Sequence, residues 1–184
     1  MIQIDKTGVT GIWGGRGAGK STFAREKVLP LVKDRRLVVI DPMQSDGVKS
    51  AAAVSEALQT GNRHVMFSGS GPDQPIATIY AAWAASTETD PVYIVCDEAP
   101  AYLDRITQGL SKVMFQGRHR GFGMLILGQR PAAVHAQIRS QMAQTFWMRL
   151  NDHTDLETAR KVIGPDKAAT LPNLQPGEFI AHPE

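Results

Sequence analysis

A run of glycines followed by a lysine and a serine carries the clearest chemistry in the sequence. Residues 14–21 read G-G-R-G-A-G-K-S, the pattern G-x-x-x-x-G-K-S. Glycines lack a Cβ, so consecutive backbone N–H groups can turn inward and surround phosphate oxygens. In such a loop the lysine reaches the β- and γ-phosphates, and the serine hydroxyl is a ligand for Mg²⁺. We therefore predict that ATP and Mg²⁺ are bound by Gly14, Gly15, Arg16, Gly17, Ala18, Gly19, Lys20, Ser21 and Thr22.

The segments on either side of this loop suit a phosphate site. Residues 9–13 are predicted to form a short buried strand, and residues 21–33 an amphipathic helix. The helix would direct the positive end of its dipole at the anion. The alternative is a glycine-rich turn that binds nothing. That alternative leaves the lysine and the hydroxyl without a purpose in packing, so the pattern favours phosphate binding.

Two adjacent carboxylates, Asp97 and Glu98, end a second apolar run. The preceding residues 91–96 read P-V-Y-I-V-C, which is typical of a strand covered by helices on both faces. Beside a phosphate loop, Asp97 would hold the Mg²⁺ shell and Glu98 would polarise the attacking water. The alternative is a pair of solvated carboxylates that open the turn at residues 99–100.

A glutamine, Gln129, follows another apolar run at residues 124–127. An amide at this place can hydrogen-bond both the γ-phosphate and the attacking water, and so sense whether ATP is intact. Taken alone, the glutamine would more simply cap the next helix or contact solvent. The presence of the other two motifs in the same chain favours a catalytic role for Gln129. Asp41 also ends a strand, but an Asp-Pro pair equally opens a turn.

Strands alternate with helices along the chain. This alternation predicts an α/β fold with a mainly parallel central sheet flanked by helices, and places the nucleotide at the carboxyl ends of the strands. The phosphate loop, the carboxylate pair and the glutamine should therefore share one edge. Further predicted elements are helices over residues 51–58, 76–85, 106–117 and 131–142, a helix that starts with a capping box at residues 154–157 and ends before residue 164, and strands over residues 36–41, 64–68, 144–150 and 177–181.

Composition is that of an ordinary globular protein. The 184 residues, 42% hydrophobic and 21% charged, fit one domain over residues 1–184. A formal net charge of +2 neither indicates nor opposes nucleic-acid binding. The single cysteine, Cys96, excludes an internal disulfide and a cysteine-rich metal site. Without a long apolar span or a signal peptide, we expect a cytoplasmic protein with no direct membrane insertion.

The three motifs together resemble the FtsK/HerA superfamily of DNA-pumping ATPases. The resemblance rests on residues 14–21, on residues 92–98 and most specifically on residues 117–131, G-R-H-R-G-F-G-M-L-I-L-G-Q-R-P. Family members carry a comparable arginine-glycine turn, a hydrophobic strand and a Gln-Arg-Pro end. The resemblance implies a RecA-like P-loop NTPase that assembles as a homo-oligomeric ring, usually of six subunits. ATP would lie between subunits and double-stranded DNA in the central channel.

In such rings an arginine of the neighbouring subunit completes the site. Arg118 best matches the arginine turn of the family, with Arg120 and Arg139 as lesser candidates. The alternative for each is an ordinary solvated or ion-paired arginine. Phosphate contacts without base readout would suffice in a DNA channel, although simple solvation explains such side chains equally well. The residues that we predict in or beside loops facing the channel are Lys49, Arg105 and Lys112.

The chain looks most like the single-domain genome-packaging ATPases of membrane-containing viruses and phages. That likeness implies packaging of viral or phage double-stranded DNA, with viral capsid or membrane proteins as further partners and a location in the host cytoplasm or with the virion. A phage assembly or secretion ATPase that acts on protein is one alternative. A P-loop small-molecule kinase is another, but a kinase needs no Asp-Glu pair poised on water, so Glu98 and Gln129 favour hydrolysis.

Overall fold

The apolar runs pair into one seven-stranded sheet in the computed structural model, which describes residues 2–71 and 73–183. Its order is β3-β2-β4-β5-β1-β6-β7; strands β1 to β6 are parallel, and β7 is antiparallel to β6. The predicted mainly parallel sheet is thus confirmed. The strands are β1 (Val9–Trp13), β2 (Arg36–Ile40), β3 (His64–Phe67), β4 (Val92–Cys96), β5 (Gly123–Gly128), β6 (Met142–Trp147) and β7 (Ile180–His182).

Helices connect the strands. The first, α1, continues without a break into a π-helical turn (Ala24–Val28) and a 3₁₀ turn (Leu29–Val32). Pro30 lies in that 3₁₀ turn and has no N–H to donate, which disfavours regular α-helix there. None of the described helices is both long and apolar enough to cross a membrane. The helices are α1 (Lys20–Phe23), α2 (Ala51–Gln59), α3 (Asp73–Ala85), α4 (Gln108–Gln116), α5 (Ala136–Arg139), α6 (His153–Ile163) and α7 (Pro165–Thr170).

Two apolar clusters bury the two faces of the sheet. Successive residues of a strand point to opposite faces, so Ile94 of β4 belongs to the larger cluster and Val95 to the smaller. The larger cluster includes buried residues of α2, α3, α4, α6 and α7. The smaller lies against the helical segment that follows the phosphate loop, with Phe23 and Val28 buried in it. Burial on both faces explains why the central strands read as continuous apolar runs.

The predicted helix over residues 131–142 is wrong. The structure has a 3₁₀ turn (Pro131–Ala133), an extended link, the short helix α5, and then strand β6, which already begins at Met142. Two tertiary contacts interrupt the helix. The N–H of His135 donates to the carbonyl of Leu103 at 2.8 Å, and Met142 pairs with Val9 of β1.

The predicted start of α6 is also wrong, because the helix is capped by Asp152 and not by Thr154. The Asp152 carboxylate accepts the N–H groups of Thr154 at 3.0 Å and Asp155 at 3.3 Å, so the helix begins at His153. Strands β6 and β7 are shifted from the predicted residues 144–150 and 177–181. Their bounds follow the pairing partners, Val9 to Trp13 of β1 for β6 and Thr145 to Trp147 for β7.

Candidate active site

The strand order brings the three sequence motifs to one edge of the sheet. Strand β5 lies between β1 and β4, and the three strands are parallel. The phosphate loop follows β1, the Asp97–Glu98 pair follows β4, and Gln129 follows β5. The glutamine therefore lies between the other two motifs, at the carboxyl ends of the strands.

Glycine is required at particular places in the phosphate loop. Gly19, which precedes α1, has φ of 98°, a left-handed conformation that favours glycine. A Cβ on Gly14 would lie 2.8 Å from the Cβ of Met148, so a side chain there would displace the residue that follows β6. The N–H of Gly15 donates to the carbonyl of Arg149 at 2.8 Å. The loop is thus held against the end of β6 as well as against its own strand.

Lys20 is a buried cation at the centre of this edge. Only 8% of the residue is exposed, and its Nζ donates to the carbonyl oxygens of Gly14 at 2.8 Å and Gly15 at 3.2 Å. Burial lowers the pKa of Lys20, while the nearby carboxylates of Glu98 and Asp97 oppose that shift. The loop lysine and the acidic pair therefore belong to one electrostatic site.

The carboxylate of Asp97 lies near two other carboxylates, those of Asp41 and Glu98. Burial raises the pKa of Asp97, and the negative charges of Asp41 and Glu98 raise it further, whereas the N–H of Glu98 and the ammonium of Lys20 lower it. That N–H donates to Asp97 Oδ1 at 2.9 Å. The sequence alone gives Asp41 little weight as a functional residue, because an Asp-Pro pair equally opens a turn. The signal that would have raised its weight is the adjacency of β2 and β4, which only the sheet shows.

The oxygen donors at this edge fit Mg²⁺, which prefers carboxylate and hydroxyl ligands. Burial raises the pKa of Asp97, and the charges of Asp41 and Glu98 raise it further; a bound cation would relieve that repulsion. Ser21 lies in the first turn of α1 with its side chain exposed. Asp97 and Ser21 are therefore the residues that would hold the ion, and this assignment stays a prediction.

Glu98 has an unusual backbone. Among residues 2–71 and 73–183 it is the one non-glycine residue with a positive φ, at 46°. Such a conformation is unfavourable for a residue with a Cβ and is found preferentially at functional sites. Its Oε1 accepts the amide N–H of Gln129 Nε2 at 3.0 Å. The structure thus joins the acidic pair directly to the glutamine that the sequence singled out.

One neighbour of the phosphate loop cannot be recognised from the sequence. The N–H of Gly177 donates to the carbonyl of Ala18 at 2.9 Å, so the chain just before β7 borders the loop. The ring of Phe179 lies 4.8 Å from that of Phe23 and 5.7 Å from that of Phe146. The isolated glycine at 177, with φ of 90°, was a turn signal, but its contact is long-range and has no local sequence pattern.

Arg118 lies near the amino ends of the parallel strands, whereas the phosphate loop lies at their carboxyl ends. It belongs to a 3₁₀ turn (Gly117–Arg120) that precedes β5, a six-residue strand that spans about 20 Å. Its side chain is exposed and forms no hydrogen bond or ion pair within the described part of the chain. The structure therefore does not bring Arg118 to the site of its own chain.

The two lesser arginine candidates are engaged in local contacts. Arg120 donates to the carbonyls of Trp83, Ala84 and Ser86 and lies 5.1 Å from the Trp83 ring. Arg139 donates to the carbonyl of Val134, and burial lowers its pKa. Of the three arginines, Arg118 is the one whose guanidinium remains uncommitted.

The predicted DNA contacts also have partners within the chain. Lys49 donates to Ser68 Oγ at 2.6 Å, and Arg105 pairs with Asp73 at 2.5 Å. Lys112 Nζ lies 5.5 Å from the centre of the Trp83 ring. All three side chains are exposed, and their contact with DNA stays a prediction.

A sequence comparison finds one curated relative with a known role. A stretch of 99 residues is 31% identical to the DNA double-strand break repair helicase HerA of Sulfolobus acidocaldarius. The match covers 49% of this chain and 20% of HerA, so the matched half of the chain corresponds to about one fifth of that protein. No protein-family model matches the chain.

Solved structures match far more of the chain. The genome packaging NTPase B204 of Sulfolobus turreted icosahedral virus 2, in complex with ATPγS, superposes with a TM-score of 0.81 at 15% identity, over 97% of this chain and 93% of B204. The cytoplasmic domain of the type VII secretion ATPase EccC of Thermomonospora curvata matches with a TM-score of 0.64 at 17% identity, over 96% of this chain and 24% of EccC.

These comparisons confirm the predicted fold class, a RecA-like P-loop NTPase with a mainly parallel sheet flanked by helices. The HerA match and the B204 match together support the resemblance to the FtsK/HerA superfamily. B204, which shares this fold, has been solved in complex with ATPγS and with AMPPCP.

Proposed function

We propose that this chain is an ATP-hydrolysing motor that translocates double-stranded DNA and packages viral or phage DNA as a ring oligomer. One observation carries the ATPase assignment: the Gln129 amide donates to Glu98 at 3.0 Å on the edge that also holds Lys20 and Asp97. In this proposal a phosphate-binding cation, a metal ligand, a base and a sensor follow the ends of three adjacent strands, β1, β4 and β5. The likeness to HerA and to B204 supports DNA as the substrate that is moved.

The side chains divide the hydrolysis between them. The loop N–H groups and Lys20 bind the phosphates of ATP. Glu98 accepts a proton from water as the water oxygen bonds to the γ-phosphorus and the bond from phosphorus to the leaving ADP oxygen breaks. The amide of Gln129 holds one carboxylate oxygen of Glu98, which leaves the other for the water. Bound Mg²⁺, held by Ser21 and Asp97, would neutralise charge on the phosphates.

The ring proposal depends on an arginine supplied by a neighbour. Arg118 is exposed and uncommitted at the edge away from its own phosphate loop. An arginine so placed does not reach the site of its own chain, so in this proposal it serves the site of another copy, as a trans arginine does in phosphoryl transfer. In this proposal the oligomer works in the host cytoplasm or with the virion, and viral capsid or membrane proteins dock to it.

A motor that moves protein is the second candidate. The match to EccC, a type VII secretion ATPase, shows that the same fold occurs in that class. A small-molecule kinase is a weaker alternative. Such a kinase needs no adjacent Asp-Glu pair to activate water, so the Asp97–Glu98 pair, with Gln129 bonded to Glu98, favours hydrolysis.

Phosphate release from ATP by the pure chain, with and without double-stranded DNA of random sequence, tests the proposal. The Glu98→Gln variant is the blank. We expect DNA to stimulate hydrolysis, and the stimulation to fade as salt rises, because backbone contacts release counterions. A rate of hydrolysis that DNA does not change at any salt concentration would contradict the DNA motor and favour the protein-moving alternative. Absence of hydrolysis would contradict both.

A further inference from the structure

A buried carboxylate lies outside the motifs described so far. Asp155, in the first turn of α6, has no exposed side-chain surface. Its Oδ2 accepts Arg130 Nε at 2.7 Å, and its Oδ1 accepts the N–H of Ala132 at 3.0 Å. A fully buried aspartate is rare unless it is paired, because removing a charge from water is costly. These two hydrogen bonds connect α6 to the turn that follows β5.

That turn carries the glutamine of the active site. Arg130 and Ala132 stand on either side of Pro131, and Arg130 directly follows Gln129. One carboxylate thus holds both sides of the turn, within three residues of the amide that donates to Glu98. Arg130 alone would hold the turn weakly, because 55% of its side chain is exposed and water competes for its donors. The turn is held mainly by the buried carboxylate of Asp155, which forms a short charge-assisted hydrogen bond with Arg130.

The same segment also contacts the phosphate loop. Arg149, just after β6, accepts the N–H of Gly15 through its carbonyl at 2.8 Å. Three residues later Asp152 caps α6 and contacts Arg130 at 3.4 Å. Residues 149–155 therefore contact the phosphate loop at one end and the glutamine turn at the other, which links the two motifs through the start of α6.

We propose that Asp155 is a positioning residue that holds Gln129 in register with Glu98. This inference rests on the proposed ATPase function. The bond from Gln129 to Glu98 tolerates only a few tenths of an ångström, since hydrogen bonds of this kind measure about 2.7–3.2 Å. A turn released from Asp155 lets the amide move, and a displacement of about 1 Å can lower turnover by about 10²-fold.

The test is Asp155→Asn in the full chain, with kcat, the KM for ATP, nucleotide affinity and melting temperature measured together. Asparagine keeps the shape of aspartate and removes the charge that binds Arg130. We expect kcat to fall by about 10-fold to 100-fold, while KM and nucleotide affinity stay within about twofold. Unchanged kcat in a folded variant would overturn the inference.

A matched control separates positioning from stability. Asp90→Asn breaks another arginine-aspartate pair, between Asp90 Oδ2 and Arg36 Nε at 3.0 Å, at the far edge of the sheet. Its melting temperature should fall without a fall in kcat per folded molecule. An equal fall of kcat in both variants would assign the effect to general destabilisation and overturn the inference.

The route through Gln129 has its own test. In a Gln129→Ala background, Asp155→Asn should change kcat by less than about twofold, because the residue on which it acts is absent. A full additional loss would contradict the route. If Asp155→Asn does not fold, the pair Arg130→Gln with Asp155→Asn takes its place, since it leaves no unpaired buried charge; wild-type kcat in that pair would overturn the inference.

The outcome for the wild-type chain distinguishes the two levels of proposal. A wild-type protein that hydrolyses ATP while Asp155→Asn does so equally well contradicts the positioning role alone. A wild-type protein without hydrolysis removes the proposed function, and the positioning role falls with it.

Discussion

The two ends of the parallel strands use charged side chains differently. At the amino ends, Arg36 and Arg120 donate to backbone carbonyls at the C-terminal ends of α2 and α3. Cations at these positions neutralise unpaired helix carbonyls. At the carboxyl ends, Asp97 and Glu98 lie near each other and near Lys20, and the pKa of Asp97 is raised by burial and by its neighbours.

The charged side chains at the amino ends therefore stabilise the fold, whereas those at the carboxyl ends lower its stability. Removal of a charged side chain that hydrogen-bonds otherwise unpaired backbone groups should lower the stability of the fold. A charge crowded by like charges should be removable with little loss of stability, and its loss should appear in function. Arg118 is the test of this division, because it lies at the amino ends and bonds to none of the described residues of its own chain.

The largest expected effect is that of Arg118→Ala. If Arg118 completes the site of a neighbour, hydrolysis should fall by about 10³-fold or more. Nucleotide binding and melting temperature should stay close to wild type. Phosphate release, measured alone and in mixtures with Lys20→Ala, checks this: mixed oligomers should recover part of the activity, because some interfaces hold an intact arginine and an intact lysine. Mixtures that stay inactive would argue against a trans arginine at this position.

Glu98→Gln comes next. Loss of the base should lower kcat by about 10²-fold to 10⁴-fold. Binding of a fluorescent ATP analogue should persist, and thermal stability should hold or rise slightly, since a like charge beside Asp97 is removed. Normal turnover in this variant would exclude Glu98 as the base.

Arg36→Ala should act on stability alone. The substitution removes charge-assisted bonds to the carbonyls of Leu58, Ala85 and Asp90 and should lower the free energy of unfolding by about 3 kcal/mol. Urea denaturation measures the loss, with Lys33→Ala, an exposed lysine, as control. The kcat per folded molecule should not change; a selective fall in kcat would break the proposed division between the two edges.

The smallest effect is expected for Arg120→Lys. Lysine keeps the charge but loses the planar fork that bonds several carbonyls at the end of α3 and lies against Trp83. We expect a loss of about 1 kcal/mol in urea denaturation. The rate of hydrolysis should match that of the wild type. A strong fall in this rate would identify Arg120, and not Arg118, as the arginine that acts in trans.

The residues of the carboxyl edge can be predicted from sequence because their signals are local. A strand, a glycine loop and a helix follow one another around Lys20, and an apolar run leads directly into Asp97 and Glu98. A parallel sheet then places such strand ends together. The contact between Gln129 and Glu98 cannot be predicted in this way. It joins residues 31 positions apart and requires β5 to lie beside β4.

Predictions fail where long-range contacts override local preference. Residues 131–142 have the composition of a helix, but the bond from His135 to Leu103 and the pairing of Met142 interrupt it. Asp155 looks like an ordinary residue of a helix start. Its complete burial against Arg130 follows from the packing of α6 beside the end of β5, which no spacing in the sequence encodes.

The left-handed backbone of Glu98 has a consequence for protein engineering. A glycine at this position would adopt φ of 46° without strain, so Glu98→Gly should gain about 1 kcal/mol from the backbone. A selection for heat resistance alone would therefore favour variants that have lost the side chain proposed as the base. Libraries built on this scaffold need a turnover screen beside the thermal one.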